Sequence, residues 1–196
     1  GKRMLRNKIS LKRILDLIFS LIIVFFTLLP MLMIGLAVKL SSNGSIIHWS
    51  ERVGLNNKTF IMPKFRTMFT DTPQVATHLL NLNESRITKV GFLLRKYSLD
   101  ELPQLFSILK GDMSLVGPRP ALFNQEDLIN LRTQEGIHSL VPGVTGWAQI
   151  NGRDEIPIPE KVVLEKEYLE NKSFWLDMKI IWLSIIKVIS GDGVSH

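Results

Sequence analysis

The segment from Leu17 to Val38 contains 22 residues and no charged side chain. As an α-helix it would extend about 33 Å, roughly the thickness of the hydrocarbon core of a bilayer. The segment is too long for the apolar part of a secretory signal, and no small-residue cleavage site follows it. The sequence therefore predicts one membrane helix followed by one domain, since the remaining residues suffice for an ordinary hydrophobic core.

Most of the positive charge precedes this helix. Of the formal net charge of +6, residues 1–16 carry +5, with six basic residues and one aspartate, which leaves +1 for the other 180 residues. A basic collar beside an apolar helix attracts anionic lipid headgroups, each Lys or Arg contributing about 1 kcal/mol. The nearly neutral remainder argues against a nucleic-acid-binding protein, which would need many phosphate contacts. We expect anionic membrane lipids as partners and no nucleic acid.

The charge asymmetry also bears on topology. Basic residues before a membrane helix favour a cytoplasmic location for the leader, so a straight span would export everything after Lys39. Pro30 lies near the middle of the apolar segment, and a proline can bend a helix sharply because it lacks an N–H and clashes with the preceding turn. Two arrangements stay open: a kinked span, and a re-entrant helix broken at Pro30 with both ends in the cytoplasm.

Beyond the apolar segment the sequence predicts a helix-rich α+β fold. Two short runs bounded by turn residues, Ser45–Trp49 and Thr59–Met62, are expected to form a small β-hairpin. Phe174–Ile189 combines two tryptophans with aliphatic and charged residues, as in interfacial amphipathic helices and equally in core helices. Apolar spacing and capping residues predict other helices near Asp71–Leu82, Ser85–Arg95, Ser98–Leu109, Gln125–Glu135 and Glu160–Glu170.

Two adjacent carboxylates, Asp100 and Glu101, are the strongest candidates for chemistry. The absence of cysteine excludes disulfides and thiolate metal sites, and the four histidines are too scattered to indicate a zinc cluster. At a helix start the two side chains would point about 100° apart and take different roles, and Asp100 could meet phosphate oxygens and Mg²⁺ or attack phosphorus. The structural alternative is a capping box, in which the Ser98 hydroxyl binds the backbone N–H of Glu101.

A carboxylate can approach a pyrophosphate only if cations screen the two negative groups. Arg119, whose backbone is constrained by Pro118 and Pro120, has a planar guanidinium that fits phosphate oxygens, although a surface arginine in a rigid turn is the alternative. Lys64 and Arg66 are alternate residues of an extended segment, so they would lie on one side of it and form a second phosphate clamp. A solvated edge strand is the alternative for that pair.

A further row of polar residues follows the loop at Gly146. Gln149, Asn151 and Arg153 are candidates for binding a base or a ribose. The chain contains neither of the glycine-rich nucleotide fingerprints, G-x-G-x-x-G or G-x-x-x-x-G-K-[ST]. If a nucleotide binds, side chains rather than a glycine-rich loop must hold it.

Together these segments resemble the bacterial sugar transferase family, the small monotopic phosphoglycosyl transferases that start glycoconjugate assembly on polyprenol phosphate. The resemblance covers most of the chain, and its ordered motifs are more specific together than any one of them. They are residues 12–16, 64–68, 98–105, 110–114, 117–120, 142–153 and 176–179. Within the family the chain is most similar to the minimal catalytic form, like the initiating enzymes of bacterial protein glycosylation.

The resemblance implies a transferase that moves a sugar 1-phosphate from a UDP-sugar to undecaprenyl phosphate, releasing UMP. It implies that Asp100 is the nucleophile, forming a covalent aspartyl phosphosugar, and the neighbour of Mg²⁺. Glu101 would assist the metal or proton transfer, and Arg119 would hold phosphate. By the same resemblance Lys64, Arg66, Arg153 and Asp177 line the substrate pocket. UDP-diacetylbacillosamine is one candidate donor, and no residue separates it from other N-acetylated, galactosyl or glucosyl donors.

The family resemblance also implies a re-entrant helix, usually broken at a Ser-Pro pair, which is Leu29-Pro30 here. We therefore divide the chain into a basic leader (1–11), a re-entrant membrane helix (12–40) and a catalytic domain (41–196) on the cytoplasmic face of the bacterial inner membrane. Residues 1–3 precede Met4 and are interpreted as an addition to the natural start. The oligomeric state is left open. The alternative function is a non-catalytic membrane-anchored scaffold that binds anionic partners.

Overall fold

The computed structural model describes residues 9–70, 86–152 and 156–191. These residues form a helix-rich α+β structure with a small sheet, which confirms the predicted fold class. The helices are α1 Leu11–Ser41, α2 Lys89–Lys96, α3 Gln104–Lys110, α4 Glu126–Gln134, α5 Trp147–Asn151, α6 Ile158–Asn171 and α7 Phe174–Ser190. The strands are β1 Ile47–Val53, β2 Thr59–Phe65, β3 Ser114–Val116, β4 Ala121–Leu122 and β5 Gly143–Thr145.

Helix α1 contains the predicted apolar segment. It begins after Ser10, whose hydroxyl accepts a hydrogen bond from the N–H of Arg13 at 3.2 Å. Its most apolar 18-residue window has a mean hydropathy of 2.8, so by length and composition it is the one helix in the described residues that could cross a membrane. The helix continues through Pro30 without ending there, so the predicted break does not interrupt it.

One face of α1 packs against the rest of the protein. Its buried residues recur at intervals close to whole helical turns, whereas side chains on the opposite face, such as Phe25 and Phe26, are exposed. Contacts with the domain extend from the first turns of α1 to Val38, which is fully buried near Phe65 and Leu94. The buried residues are Asp16, Ser20, Met31, Gly35 and Val38.

The predicted hairpin is confirmed, with longer strands than expected. β1 and β2 pair antiparallel from Ile47 opposite Phe65 to Val53 opposite Thr59, and β4 adds to the other edge of β1. A short 3-10 turn, Leu55–Asn57, connects β1 to β2. Because directly opposite residues share a face, the pairing places His48 beside Lys64 and Arg52 beside Phe60.

A second, parallel pair joins β3 to β5. The two backbones approach so closely that a Cβ atom on Gly117 would lie 2.3 Å from the carbonyl oxygen of Val141, and one on Gly143 would lie 2.1 Å from the Gly117 nitrogen. Only glycine allows this approach at either position. The contact fixes the start of the loop that follows β3, residues 117–120.

The predicted helix Ser98–Leu109 is divided in the structure. Leu99–Glu101 forms a 3-10 turn, Pro103 follows it, and α3 begins at Gln104. The predicted capping box is wrong, because Ser98 adopts a left-handed backbone with φ of 53° and its side chain forms no cap hydrogen bond. Instead the Ser98 carbonyl accepts the Glu101 N–H at 3.3 Å. An N-cap residue normally has an extended backbone, so the left-handed Ser98 cannot complete a capping box.

The remaining helices agree with the sequence to different extents. α4, α6 and α7 lie within two residues of their predicted bounds. α2 begins at Lys89, where the Thr88 hydroxyl accepts the Gly91 N–H at 2.8 Å, later than the predicted start at Ser85. The helix expected at Asp71–Leu82 lies outside the described residues.

Candidate active site

Asp100 lies in the 3-10 turn between α2 and α3, with only 4% of its surface exposed. Its carboxylate faces β2, where the Nζ atom of Lys64 is 3.6 Å from Oδ2. Burial lowers the pKa of Lys64, while the charge of Asp100 opposes that change. The structure therefore places a carboxylate and an ammonium group together in a poorly solvated environment, where charges interact more strongly than in water.

Glu101 faces the other way, toward the loop after β3. Its Oε1 atom is 3.3 Å from Nη1 of Arg119. The loop is held to β5 by two backbone hydrogen bonds of 2.9 Å, from Gly117 N–H to the Thr145 carbonyl and from Gly143 N–H to the Pro118 carbonyl. The two neighbouring carboxylates thus contact different cations, in keeping with the separation of about 120° between successive residues of a 3-10 turn.

Arg52 on β1 is a third cation near the site, and the sequence analysis did not identify it. Its Nη1 atom donates to the carbonyl oxygen of Pro120 at 3.0 Å, and its Nε atom donates to Ser50 Oγ at 2.9 Å. Burial, with repulsion from Arg119, lowers the pKa of Arg52 to about 9, while Glu101 opposes the shift. The predicted strand ends at Trp49, whereas β1 continues to Val53, so Arg52 lies beyond the predicted strand.

The five charged side chains of the site do not balance. Lys64, Arg52 and Arg119 contribute three positive charges, whereas Asp100 and Glu101 contribute two negative charges. A partly buried site with one excess positive charge attracts anions, and phosphate groups carry the oxygens that guanidinium and ammonium groups bind. The arrangement is suited to binding a phosphate compound next to a carboxylate.

The donor set at Asp100 fits a magnesium ion that also binds substrate. Among the described residues no three Asp, Glu or His side chains converge on one point. Mg²⁺ is commonly held by one or two carboxylates with substrate phosphates and water as its other ligands. Asp100, with Glu101 beside it, can supply that limited protein share.

A cleft opens on the other side of the Arg119 loop. It combines apolar and aromatic walls with a few polar groups, which is typical of a site for an organic ligand. The phenol of Tyr168 lies at its edge and donates to Asp177 at 2.7 Å, and burial together with this hydrogen bond raises the pKa of Tyr168. Residues that line the cleft include Arg119, Trp147, Gln149, Ile156, Lys161 and Tyr168.

Two predicted pocket residues, Arg66 and Asp177, have their contacts away from Asp100. The Arg66 guanidinium is buried at the turn between α1 and β1, where it donates to the Ser45 carbonyl at 2.7 Å and to both the hydroxyl and the carbonyl of Ser42. Strand β2 ends at Phe65, so Arg66 lies beyond the alternating part of the strand. Arg66 and Lys64 therefore do not form one phosphate clamp. Asp177 binds Tyr168 and Lys12. Arg153 lies outside the described residues.

The first turns of α1 hold the segment that connects the two halves of the site. Arg13 donates to the carbonyl oxygens of Ile108 and Leu109 at the end of α3, and Asp16 accepts from Ser114 Oγ at 2.7 Å. Lys12 donates to the Val116 carbonyl at 2.9 Å. These contacts connect the membrane helix to the segment between Asp100 and Arg119.

Comparison with known proteins identifies related sequences along nearly the whole chain. The family model described as bacterial sugar transferase matches residues 7–191. The chain is 43% identical over 188 residues to a Bacillus subtilis (strain 168) protein named uncharacterized sugar transferase EpsL, covering 95% of this chain and 91% of that protein.

Two longer relatives have names that state an activity. The chain is 41% identical over 190 residues to the undecaprenyl-phosphate glucose phosphotransferase of Komagataeibacter xylinus. It is 42% identical over 187 residues to the UDP-glucose:undecaprenyl-phosphate glucose-1-phosphate transferase of Escherichia coli (strain K12). These matches cover 91% and 90% of this chain but span only 36% and 40% of the two relatives.

Proposed function

We propose that this chain, which belongs to the bacterial sugar transferase family and is a transferase, moves a sugar 1-phosphate from a UDP-sugar to undecaprenyl phosphate. The products are an undecaprenyl-diphospho-sugar and UMP, and the reaction begins membrane-bound glycoconjugate synthesis. The observation that carries this proposal is the cation-rich site in which Asp100 faces Lys64 and Glu101 faces Arg119. The names of the relatives supply the substrate classes.

In the first step a carboxylate oxygen of Asp100 attacks the phosphorus that carries the sugar. The bond from that phosphorus to the bridging oxygen breaks, and its electron pair leaves with UMP. Lys64, 3.6 Å from the carboxylate, screens the repulsion between the nucleophile and the phosphate. Arg119 holds phosphate oxygens through its planar guanidinium. The result is an aspartyl phosphosugar.

In the second step an oxygen of undecaprenyl phosphate attacks the same phosphorus. The bond between phosphorus and the Asp100 oxygen breaks, and the carboxylate is restored. Because each displacement is in line, the acceptor enters from the side on which UMP left. The same cations can therefore serve the leaving phosphate and then the acceptor phosphate.

Asp100 is the residue that would hold Mg²⁺ in this reaction, and Glu101 would assist the metal or proton transfer. A bound Mg²⁺ neutralises charge on the pyrophosphate and orients it. Glu101 also fixes Arg119 through their 3.3 Å ion pair. The ion pair with Arg119 needs no metal, so Glu101 can contribute to the site by fixing Arg119 as well as by assisting Mg²⁺.

We further propose that the protein is monotopic on the cytoplasmic face of the bacterial inner membrane. The support is that contacts from both ends of α1 go to one domain: Asp16 binds Ser114 near one end, and Val38 is buried against Phe65 near the other. A straight transmembrane helix would place its two ends on opposite sides of the bilayer, about 30 Å apart. A bend at Pro30 would let the exposed apolar face enter one leaflet and return.

Two other features support this topology. The Thr27 hydroxyl donates to the Ile23 carbonyl at 2.6 Å, a bond within the turn before Pro30 of the kind that bends helices. In addition, α7 exposes Trp175, Trp182 and Ile189, and tryptophans are favoured at the membrane surface. An interfacial location for α7 would cover these side chains.

The topology can be tested with single cysteines, because the natural chain contains none. Ile9→Cys and Asn43→Cys place a thiol at an exposed position near each end of α1. In sealed inverted membrane vesicles, an impermeant maleimide should label both variants, since both ends would face the outside. Labelling of Ile9→Cys alone would indicate a transmembrane helix and contradict the proposed topology.

The chemistry can be tested with a UDP-sugar labelled in its sugar-bound phosphate and no lipid acceptor. The wild type should release UMP and retain label, whereas Asp100→Asn should retain none because an amide is not an effective nucleophile. Asp127→Asn is the matched control, since Asp127 is exposed in the first turn of α4 and should leave capture unchanged. Label on Asp100→Asn would refute the nucleophile assignment. A wild type that releases no UMP with any donor would favour the scaffold instead.

A further inference from the structure

We infer that Arg52 is a positioning residue that fixes the Arg119 loop for the proposed phosphosugar transfer, so this inference rests on the proposed function. Arg52 lies on β1, the central strand of the three-stranded sheet, opposite Phe60 on one side and Leu122 on the other. Strands on both sides restrict its backbone. The sheet thereby gives the guanidinium a rigid base close to the loop.

The loop residue Arg119 lies between two prolines whose carbonyls are both bound. The Pro118 carbonyl accepts the Gly143 N–H at 2.9 Å from β5, and the Pro120 carbonyl accepts from Arg52 Nη1 at 3.0 Å. Arg119 is therefore supported on one side by the parallel strand pair and on the other by Arg52. Removing Arg52 would take away the hydrogen bond to the Pro120 carbonyl and leave this side of the loop held only by the pairing of β4 with β1.

The orientation of Arg52 is itself fixed within its own strand. Its Nε atom donates to Ser50 Oγ at 2.9 Å, and Ser50 is buried two residues earlier on the same face of β1. The two donors Nε and Nη1 of one planar group thus have separate acceptors. A lysine would keep the charge but lacks the planar fork that directs two donors of one rigid group to two fixed acceptors.

The charge of Arg52 is poorly compensated within the protein. Among the described residues it has no carboxylate within ion-pair distance, while the nearby Arg119 repels it and the more distant Glu101 attracts it. Burying a cation beside another cation destabilises the folded protein. For stability alone, a neutral hydrogen-bond donor would be better at this position. A bound phosphate would compensate both guanidinium groups, which gives the cation a role in the substrate complex.

The test is a double-mutant cycle on UMP release, measured as kcat/KM in detergent or nanodiscs with the full chain. Arg119→Ala should lower kcat/KM by about 10² to 10³-fold, as for loss of one preorganised donor. Arg52→Gln should lower it by about 10 to 100-fold, as for loss of a supporting contact behind a functional group. The double variant should be about as slow as Arg119→Ala alone, because without Arg119 there is little left to position.

Arg66→Gln provides the matched control cycle. Arg66 also donates to backbone carbonyls, those of Ser42 and Ser45, but at the other end of the hairpin. In the double variant, the fold-reductions in kcat/KM caused by Arg66→Gln and by Arg119→Ala should multiply, since the two sites share no partner. Arg52→Lys is the second variant, which keeps the charge if Arg52→Gln does not fold, and it should give a kcat/KM between those of the wild type and Arg52→Gln.

Two results distinguish positioning from a structural role. A positioning residue with a poorly compensated charge predicts that Arg52→Gln has an unfolding midpoint equal to or above that of the wild type while its kcat/KM falls. Effects of Arg52→Gln and Arg119→Ala that multiply in the cycle would overturn the inference, as would a loss of activity explained by unfolded protein. In either case wild-type UMP release would continue, whereas absence of UMP release from the wild type would overturn the proposed function itself.

Discussion

Two sets of buried ion pairs differ in their geometry. At the candidate active site, Lys64 is 3.6 Å from Asp100, and Arg119 is 3.3 Å from Glu101. Between α4 and α6, Arg132 binds Glu165 through two hydrogen bonds of 2.8 and 2.5 Å. Charge-assisted hydrogen bonds are usually about 2.7 to 2.9 Å long. We call the Arg132–Glu165 pair closed, because its nitrogen and oxygen atoms are within hydrogen-bond distance. We call the two pairs at the site open, because their nitrogen–oxygen distances exceed that range.

The network at the start of α1 resembles the Arg132–Glu165 pair in having a hydrogen-bond acceptor for each donor of its cation, although its ion-pair distance is longer. The three N–H donors of the Lys12 ammonium have three acceptors, the Val116 carbonyl and the Tyr168 hydroxyl at 2.9 Å and Asp177 at 3.2 Å. At the site, by contrast, the cations outnumber the carboxylates by one. This difference indicates that closed and balanced pairs position helices, whereas open pairs with excess charge are available to a ligand.

The largest expected effect tests the closed pair. Arg132→Met removes the partner of Glu165, which is only 2% exposed, and leaves that carboxylate buried without its cation. The free energy of unfolding should fall by about 3 to 5 kcal/mol, measured by denaturant titration in detergent. Protein that remains folded should lose less kcat/KM than Arg119→Lys does, since the ion pairs at Asp100 and Glu101 are intact and only the wall of the cleft at Glu165 is altered.

A double replacement is the control for this interpretation. Arg132→Met with Glu165→Leu removes both charges and should recover most of the lost stability, because apolar side chains of similar volume can replace a buried ion pair. If the single variant loses activity without losing stability, the Arg132–Glu165 pair belongs functionally with the site. The comparison between closed and open pairs would then be wrong.

The fold followed from local patterns wherever a pattern was uninterrupted. The uncharged run predicted α1, and the two short runs bounded by turn residues predicted the hairpin. The failure at Ser98 has a different cause, because a capping-box sequence does not specify the backbone conformation of its first residue, and Ser98 is left-handed. Pro103 then separates the 3-10 turn from α3, so the single helix predicted here is two short elements.

The site was predictable only in part. Asp100 and Glu101 stand out in the sequence as adjacent carboxylates, and Arg119 stands out because a proline lies on each side of it. The structure brings these residues together with Lys64. Their catalytic roles stay predictions. Arg52 was missed because its importance comes from a contact with Pro120, 68 residues away.

Arg66 and Asp177 have partners in the structure that the sequence did not indicate, for the same reason. The surroundings of Arg66 depend on the α1–β1 turn, and those of Asp177 depend on Lys12 at the start of α1. Alternation along one strand, or position within one motif, does not specify such distant partners. The contacts between α1 and the rest of the chain had to be known first.

The next effect tests the open pairs. Arg119→Lys keeps the positive charge near Glu101 but removes the planar fork that can bind two phosphate oxygens. We expect kcat/KM for UMP release to fall about 10 to 100-fold, equivalent to about 1.4 to 2.7 kcal/mol, with little change in unfolding midpoint. Loss of stability with normal turnover would show that the pair at Glu101 is structural, like Arg132–Glu165.

The smallest effect tests the Lys12 network through its tyrosine. Tyr168→Phe removes one hydrogen bond to Asp177 and one acceptor for Lys12, and should lower the free energy of unfolding by about 1 kcal/mol near pH 8. Activity should change little, because Lys12 and Asp177 still contact each other at 3.2 Å. Denaturant titrations of the two proteins in the same detergent measure the difference.

The pH dependence of that difference gives a sharper test. Burial and the hydrogen bond to Asp177 raise the folded-state pKa of Tyr168, so the folded phenol keeps its proton where the unfolded phenol, with a pKa of about 10, loses it. The contribution of Tyr168 is therefore complete below about pH 10 and declines as pH rises further. The stability gap between wild type and Tyr168→Phe should narrow between about pH 8 and about pH 11. A constant gap would mean that the Tyr168 phenol titrates alike in both states, so that neither burial nor the hydrogen bond to Asp177 affects its proton in the folded protein.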